Sequence, residues 1–576
     1  MQKNISRRVS KIPAAFSDQI HPLLQRIYAA RGILSDAEVD RALSRLLPPD
    51  RLKGLPEALA LLVAALQNDQ SILIVGDFDA DGATSSVLAV LALRAMGAQR
   101  VDYLVPDRFR YGYGLTPAIV EVAQQRAPDL LITVDNGISS VEGVAAARRL
   151  GMRVLVTDHH LPGAQLPEAD AIVNPNQPGC EFPSKALAGV GVIFYVMSAL
   201  RSRLRELGWF AERGFVEPRM VEFLDLVALG TVADVVPLDA NNRLLVHHGL
   251  QRIRAGNCRP AIRALAEIGK RNLSQLVAAD LGFAIGPRLN AAGRLDDMSH
   301  GIECLLAEQE SSAKALAEEL NLLNAERREI EAGMQQEAQS ALQQLALNTR
   351  ELPFGLCLYN ASWHQGVIGI LASRIKERYH RPVIAFAKAD NGEIKGSARS
   401  VQGVHIRDVL DAVASRHPEL ISRFGGHAMA AGLSLQPEHF DAFRAAFDAE
   451  VRRWLTVEDL VGVIQSDGEL APAEIDLPLA DLLRNAGPWG QGFPEPLFDG
   501  CFELLEQKLL KEKHLKMTLG LQGTNRVLDA IAFNVDLQCW PNQNAKSVRL
   551  AYRLDVNEFR GVRRAQLLVE DLQPAG

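Results

Sequence analysis

Val154-Leu155-Val156-Thr157-Asp158-His159-His160 is an apolar run that ends abruptly in an acid and two adjacent imidazoles. A buried strand reads this way when its C-terminal end opens into a site. Asp-His-His is neither a turn signal nor a packing signal, and two neutral imidazoles beside a carboxylate suit a borderline metal such as manganese. The pattern recurs upstream. Ser71 to Val75 reads as a buried strand, followed by Gly76-Asp77-Phe78-Asp79-Ala80-Asp81-Gly82 and a helix from Ala83 through Leu93. Leu130 to Val134 is a strand ending in Asp135-Asn136-Gly137, with Ser139-Ser140 capping the next helix. Alternating strands and helices predict a parallel sheet with helices on both faces. Ligands gather at the C-terminal ends of such strands. Asp77, Asp79, Asp81, Asp135, Asp158, His159 and His160 can therefore converge from distant points of the sequence. A helix over Phe223–Leu229 ends at Gly230-Thr231-Val232-Ala233-Asp234, and Asp234 in that apolar setting is a candidate fifth metal ligand.

The chain has 576 residues, too many for one core, so about three to four domains are expected. A hydrophobic share of 48% and a charged share of 23% describe a globular, soluble protein. The net charge of -7 argues against a uniformly basic nucleic-acid coat but not against a local basic groove. Six scattered cysteines without CxxC read as reduced thiols, and no run is long and apolar enough to span a membrane. A cytoplasmic location is expected.

Residues 1–50 read as a helical lead-in and 51–304 as the catalytic domain. From about Glu308 to Leu347 there is no proline and almost no glycine, and an a/d-like spacing is broken at Arg327 and Glu337. That predicts a long connecting helix over 305–348, on the order of 60 Å at 1.5 Å per residue, bridging two domains. A second, smaller α/β domain follows over 349–457. It carries Ser362-Trp363-His364-Gln365-Gly366-Val367-Ile368-Gly369-Ile370, Lys395-Gly396-Ser397-Ala398-Arg399-Ser400 and the glycine-rich stretch 424–432. Residues 458–576 shorten into five β-like runs, predicting a small barrel of the OB-fold kind that binds nucleic acid.

Three aspartates in five residues exceed what a helix cap needs. Burying Asp79, Asp81, Asp135 and Asp234 together without cations would cost several kcal/mol per charge. Two divalent metals remove that cost; spaced roughly 3.5–4 Å apart they activate a water and clamp a phosphate for in-line displacement. Mixed histidine and aspartate ligation favours manganese over magnesium. His159 is assigned to a metal and His160 to the phosphate, as stabiliser or proton donor. Asp77 and Asp158 join His160 as candidate catalytic residues. There is no GxxxxGK[ST] or GxGxxG loop. Asp107-Arg108-Phe109-Arg110-Tyr111-Gly112-Tyr113-Gly114 combines cations with stacking rings. The segment 286–294 reads as a glycine-bounded loop carrying Arg288 and Arg294, and Arg399 beside Ser397 and Ser400 reads as a phosphate pocket.

With these residues in hand, DFDADG at 77–82, VDNG at 134–137, TDHH at 157–160 and VAD at 232–234 resemble the four motifs of the DHH phosphoesterase superfamily. SWHQGVIGI at 362–370, GSARS at 396–400 and GGHAMAAG at 425–432 resemble its DHHA1 companion domain. With a terminal barrel, the whole resembles the bacterial single-strand-specific 5′→3′ DNA exonucleases of that superfamily. The resemblance implies that Asp79, Asp81, Asp135, His159 and Asp234 hold two ions, Mn2+ or Mg2+, with Asp135 bridging and Asp77 beside them. Small-substrate members have a histidine on the preceding strand, where Val75 stands here. Arg108, Arg110, Arg288, Ser397 and Arg399 match positions suited to the 5′ end and the strand backbone, and His427 matches the histidine of the glycine motif. The resemblance also implies release of mononucleotides, work in recombination and in mismatch or base-excision repair, and single-strand-binding protein and a helicase as partners. A monomer is expected. Two alternatives stand against this reading: a DHH enzyme for oligoribonucleotides, cyclic dinucleotides or pyrophosphate, and a catalytically dead scaffold that binds single strands. Size and barrel argue against the first, intact acids and histidines against the second.

Overall fold

The computed structural model describes residues 3–10, 13–349, 352–389, 391–537 and 539–575. The first sheet is built from β1 (Ile72–Gly76), β2 (Val101–Leu104), β3 (Leu130–Val134), β4 (Arg153–Thr157) and β5 (Ala171–Val173), all parallel, in the order β2-β1-β3-β4-β5. The central strands are covered on both faces, and that is why β1 and β3 are apolar without alternation. One face packs into the large core, with Ile72, Ile74, Ile132 and Leu155. The other carries Leu73, Val75, Leu131, Val154 and Val156 against the helices Pro117–Gln124 and Val141–Arg149.

The helix Glu310–Thr349 is 40 residues long. Its first half sends Ala313, Ala317 and Leu320 into the first core. Its second half sends Met334, Ala338 and Leu342 onto one face of the second sheet. The polar residues that interrupt its apolar spacing are joints. Arg327 bonds Glu331 at 2.7 Å and Asn324 at 2.8 Å, Arg374 reaches Glu331 at 3.0 Å, and Glu337 accepts from the Trp363 indole at 2.8 Å.

The second sheet comprises β6 (Leu356–Tyr359), β7 (Val383–Lys388), β8 (Ile394–Arg399), β9 (Arg423–Gly426) and β10 (Ala430–Leu435), ordered β9-β10-β8-β7-β6. Only β6 and β7 run parallel. The terminal domain closes as a barrel of β11 (Phe498–Leu510), β12 (His514–Gly520), β13 (Val527–Ala532), β14 (Ser547–Phe559) and β15 (Val562–Pro574), in the ring order β11-β12-β13-β15-β14.

Three expectations need correcting. The lead-in is not simply helical. Its strand Asn4–Arg7 pairs in parallel with Val463–Ser466, and Arg31 makes a two-pronged bond to Asp467, so the start of the chain is sewn to the segment before the barrel. Ser140 does not cap the following helix with its side chain; its hydroxyl accepts from the Leu115 N–H at 3.1 Å. The segment 286–294 is the helix Gly286–Leu295, not a loop. Its glycines serve close packing, as where Gly293 abuts the Phe78 carbonyl.

Candidate metal centre

β1, β3 and β4 end side by side, and each hands its next residues to one point. After β1 the chain turns into the helix Ala80–Ala95, with Asp79 as N-cap accepting from Asp81 N–H at 2.9 Å and Gly82 N–H at 3.0 Å. The turn is so tight that a Cβ on Gly82 would lie 2.4 Å from the Asp77 carbonyl oxygen. After β3, Asp135 sits at φ +62, a left-handed conformation that a non-glycine residue seldom adopts and that clusters at functional sites. Asn136 pins this corner by donating to the Val75 and Val134 carbonyls at 3.0 Å each. Asp234 arrives from a different direction, at the C-terminal end of the helix Leu224–Ala233.

Three groups of side chains converge closely enough to hold an ion: Asp81, His159 and Asp234; Asp77, Asp79 and Asp135; and Asp135, His159 and His160. His159 Nε2 lies 3.1 Å from Asp135, 3.5 Å from Asp234 and 4.0 Å from Asp81. Four buried polar atoms here have no hydrogen-bond partner: Asp77 Oδ1, Asp135 Oδ1, His159 Nε2 and Asp234 Oδ2. A fold does not leave four buried polar atoms unsatisfied at one point without compensation. Divalent cations fit that donor set of carboxylates and one neutral imidazole. Burial and the mutual repulsion of these acids push Asp81 and Asp234 up to about 7, and Asp77 and Asp135 well above the usual carboxylate range. Burial, with the charge of His160, holds His159 low, so its ring is neutral.

Asp81 is also structural. Its carboxylate accepts from the N–H groups of Gly189 at 2.6 Å and Val190 at 2.9 Å, at the N-terminus of the helix Gly189–Glu206. Residue 189 has no room for a side chain, since a Cβ would fall 2.5 Å from Asp135 Cβ.

Asp158 does not face the ligand cluster. It accepts from Ile138 N–H at 2.9 Å, His159 N–H at 2.7 Å and His160 N–H at 3.1 Å, and its Oδ1 lies 2.8 Å from His160 Nδ1. Its carboxylate oxygens are thus taken up by His160 and the backbone, and it belongs to none of the three metal-capable groups. Burial pulls the His160 ring down, but the bond to Asp158 and the surrounding carboxylates outweigh it and lift the ring to about 9. Asp77, grouped by sequence with His160, sits instead among the metal-capable carboxylates.

Around the acids stands a rim of cations and rings. Arg108 lies over the Phe78 ring, 4.3 Å from its centroid, and Arg110 over Tyr111 at 5.1 Å. Tyr113 presents its hydroxyl to His160 Nδ1 at 3.2 Å. The second domain completes the rim. His427, between β9 and β10, faces His160 with ring centroids 6.4 Å apart, and His364 meets Phe109 at 5.8 Å. Arg399, at the end of β8, donates to Ser397 Oγ at 3.1 Å and to the Ala398 carbonyl at 2.8 Å. Burial alone lowers its pKa, with no acid acting on it. The helix Ile368–Tyr379 begins against this pair; a Cβ on Gly369 would be 3.0 Å from Ser397 Oγ. Arg294 donates to the Gly366 carbonyl at 3.1 Å, and burial beside Arg108 pushes it down to about 10.

Arg288 is not brought here. It is 7% exposed and bonds Asn321 at 3.0 Å and the Ala284 carbonyl, buttressing the long helix. Its helix neighbour Arg294 is the arginine that reaches the cleft, six residues and more than a turn away. A helical reading of 286–295 would have separated the two. Nothing in the sequence marks Gly189, whose role exists through its contacts with Asp81 and Asp135.

Three family models match the chain: the DHH family, N-terminal domain, over residues 71–231, the DHHA1 domain over 353–453, and the RecJ OB domain over 466–571. The chain is 58% identical over 574 residues to the single-stranded-DNA-specific exonuclease RecJ of Dickeya dadantii (strain 3937), covering 99% of this chain and 100% of that one. It is 54% identical over 573 residues to the protein of the same name from Escherichia coli (strain K12), covering 100% and 99%. The crystal structure of RecJ in complex with Mn2+ from Thermus thermophilus matches the fold with a TM-score of 0.78 at 32% identity, over 97% of this chain and 76% of that one. Its counterpart in complex with Mg2+ matches with a TM-score of 0.73.

Proposed function

The chain belongs to the RecJ family of single-stranded-DNA-specific exonucleases, and from that premise we infer that it is a metal-dependent exonuclease hydrolysing the phosphodiester bonds of single-stranded DNA. The observation that carries this reading is the cluster of four partnerless buried polar atoms on Asp77, Asp135, His159 and Asp234. Asp81, His159 and Asp234 would hold one ion and Asp77, Asp79 and Asp135 the other, with Asp135 lying 3.1 Å from His159 of the first group. A pair of divalent ions bound there supplies an activated water and charge compensation at the phosphate.

The remaining work falls to the chain itself. Asp158 fixes His160 with a proton on the ring, so that His160 offers positive charge and a hydrogen bond to a phosphoryl oxygen. Tyr113 lies against the same ring, its hydroxyl 3.2 Å from Nδ1 and 3.4 Å from Nε2. Arg399 and Ser397, with Arg294 behind them, form a donor-rich pocket that takes the 5′-phosphate, and this sets 5′→3′ polarity and release of mononucleotides. Arg108, Arg110 and His427 hold the backbone beside the cut. The long helix spaces the two α/β domains so that one strand enters and a duplex does not, and the barrel grips the strand beyond. The same reading extends to a cytoplasmic monomer working with single-strand-binding protein and a helicase. Among the described residues no helix is long and apolar enough to cross a membrane.

The deciding experiment is manganese-dependent digestion of an oligodeoxynucleotide labelled at either end, with duplex and short RNA controls. Mononucleotides released first from the 5′ end, and little from the duplex, are expected. Cleavage confined to the shortest RNA would reject the reading in favour of a small-substrate phosphodiesterase.

A further inference from the structure

Phe283 is 78% exposed, an aromatic ring that contributes nothing to the core. It sits in a π-turn, Leu281–Ile285, whose Leu281, Ala284 and Ile285 are buried. Such turns are rare and occur frequently at functional sites. This one packs against the end of the helix Leu224–Ala233. A Cβ on Gly282 would lie 3.3 Å from Val232 Cγ1, and one on Gly286 would lie 3.2 Å from Ala233 Cβ. Ala233 immediately precedes the metal-centre residue Asp234. Phe283 therefore stands between two glycines that pack on the last turn of the helix ending at Asp234. Just past Asp234, Val235 is held at φ +63 and is 61% exposed. For a β-branched residue that conformation is costly and clusters at functional places.

The surroundings carry both signs, arginines beside Asp280 and the barrel's Asp555 and Glu558. Arg271 pairs with Asp280 at 3.0 Å, three residues before Phe283. Arg271 and Arg328 both lie close enough to Arg288, five residues after Phe283, to depress its pKa further than burial alone. Proteins that hold single strands without regard to sequence set exposed rings for the bases beside cations for the backbone.

We propose that Phe283 is a stacking step for the incoming strand, a positioning residue that receives a base a few nucleotides inside the end being cut. This rests on the exonuclease reading and deepens it. A base stacked there would feed the strand toward Asp234 along the seam where the catalytic domain meets the barrel, Gln275 bonding Glu558 at 3.0 Å.

The test uses the full chain. Phe283→Ala should raise KM for (dT)12 about tenfold, leave kcat within about twofold, and leave hydrolysis of the dinucleotide pdTdT unchanged, because so short a substrate does not reach the ring. Phe283→Trp should keep activity and show tryptophan quenching on adding (dT)12 in EDTA, beyond that of the parent protein. An unchanged KM for (dT)12 with no added quenching, while the parent still digests single strands, overturns the stacking step alone. An equal loss on (dT)12 and pdTdT overturns it too, since that marks a structural disturbance of the site. A parent protein that cuts no single strand overturns the exonuclease reading and the stacking step with it.

Discussion

The two α/β sheets face one cleft and bring it opposite charges. The first is wholly parallel, and its strand ends deliver acids: Asp77, Asp79, Asp81, Asp135 and, from a helix, Asp234. The second is mostly antiparallel and delivers donors: Ser397 and Arg399 from β8 and His427 from the β9–β10 hairpin. Burial has opposite consequences in the two halves. Among the acids it raises pKa values by stripping water from the carboxylates, and repulsion between them adds to the rise. At Arg399 it lowers the pKa, and Arg399 in turn helps to lower its buried neighbour Arg294. The acidic half is thus held together at a cost that cations remove, and the basic half at a cost that an anion removes.

The sharpest way to test that contrast is Asp135→Asn. This carboxylate belongs to two of the three ligand groups, and its Oδ1, 3.1 Å from His159 Nε2, accepts no hydrogen bond. The variant should lose cleavage of an end-labelled oligomer to below detection. In EDTA, however, it should melt higher than the parent, by roughly 2 °C, because one buried repelling charge is gone. A lower melting temperature in EDTA would show that Asp135 serves the fold rather than the ions. Asp81→Ala makes a poorer probe, since it also strips two hydrogen bonds from the start of the helix Gly189–Glu206.

The same repulsion gives a pH signature. Asp81 and Asp234 titrate near 7 in the folded chain and near the ordinary carboxylate value of 3.8 when unfolded. Between those limits the folded state binds more protons than the unfolded one, so stability falls as pH rises. The metal-free protein should therefore melt lower at pH 7.5 than at pH 5.5. Added Mn2+ should reverse the order, because the ions bind the deprotonated acids of the folded state only. Calorimetry with and without EDTA reads both slopes, and parallel slopes would break the comparison between the two halves.

On the basic side, Arg399→Ala should raise KM for a 5′-phosphorylated oligomer by about 10- to 100-fold, the loss of a charge-assisted hydrogen bond. A 5′-hydroxyl oligomer should suffer much less. Equal losses on both substrates would mean that Arg399 supports the fold of β8 rather than the end of the strand.

How far the sequence could be read follows the same division. β1, β3 and β4 are buried on both faces, so their apolar runs stand out, and the acids at their ends are legible because nothing else explains them. The sheet's two edges were not legible. Asp102 and Tyr103 interrupt β2, and β5 has three residues. A strand half open to solvent loses the continuous apolar run. The connecting helix was legible because absence of proline and glycine is a strong signal. The segment 286–294 misled, because its glycines and proline read as a loop. Their actual work is close packing of a helix against Phe78 and Ala233, which depends on partners far away in the chain. The lead-in misled for a related reason: Asn4–Arg7 is a strand only because Val463–Ser466 lies beside it. Removing 458–576 to test the barrel would therefore also unfasten the N-terminus, and shorter deletions that keep Val463–Asp499 are the cleaner probe.

The smallest expected effect concerns the joint between the halves. Glu331 lies midway along the long helix and bonds Arg327 from its own helix at 2.7 Å and Arg374 from the second domain at 3.0 Å. Glu331→Gln keeps the shape and removes the charge that ties the two. Because Arg374 is half-exposed, the loss should be modest, about 1 kcal/mol, less than for a fully buried pair. If the helix sets the width of the cleft, that loss should appear as a few-fold rise in digestion of blunt duplex relative to single strand, with single-strand turnover nearly unchanged. Competition between labelled duplex and single-stranded oligomers measures this ratio directly. A variant that melts lower but discriminates as well as the parent would place strand selection in the cleft walls, Arg108, Arg399 and His427, rather than in the spacing that the helix imposes.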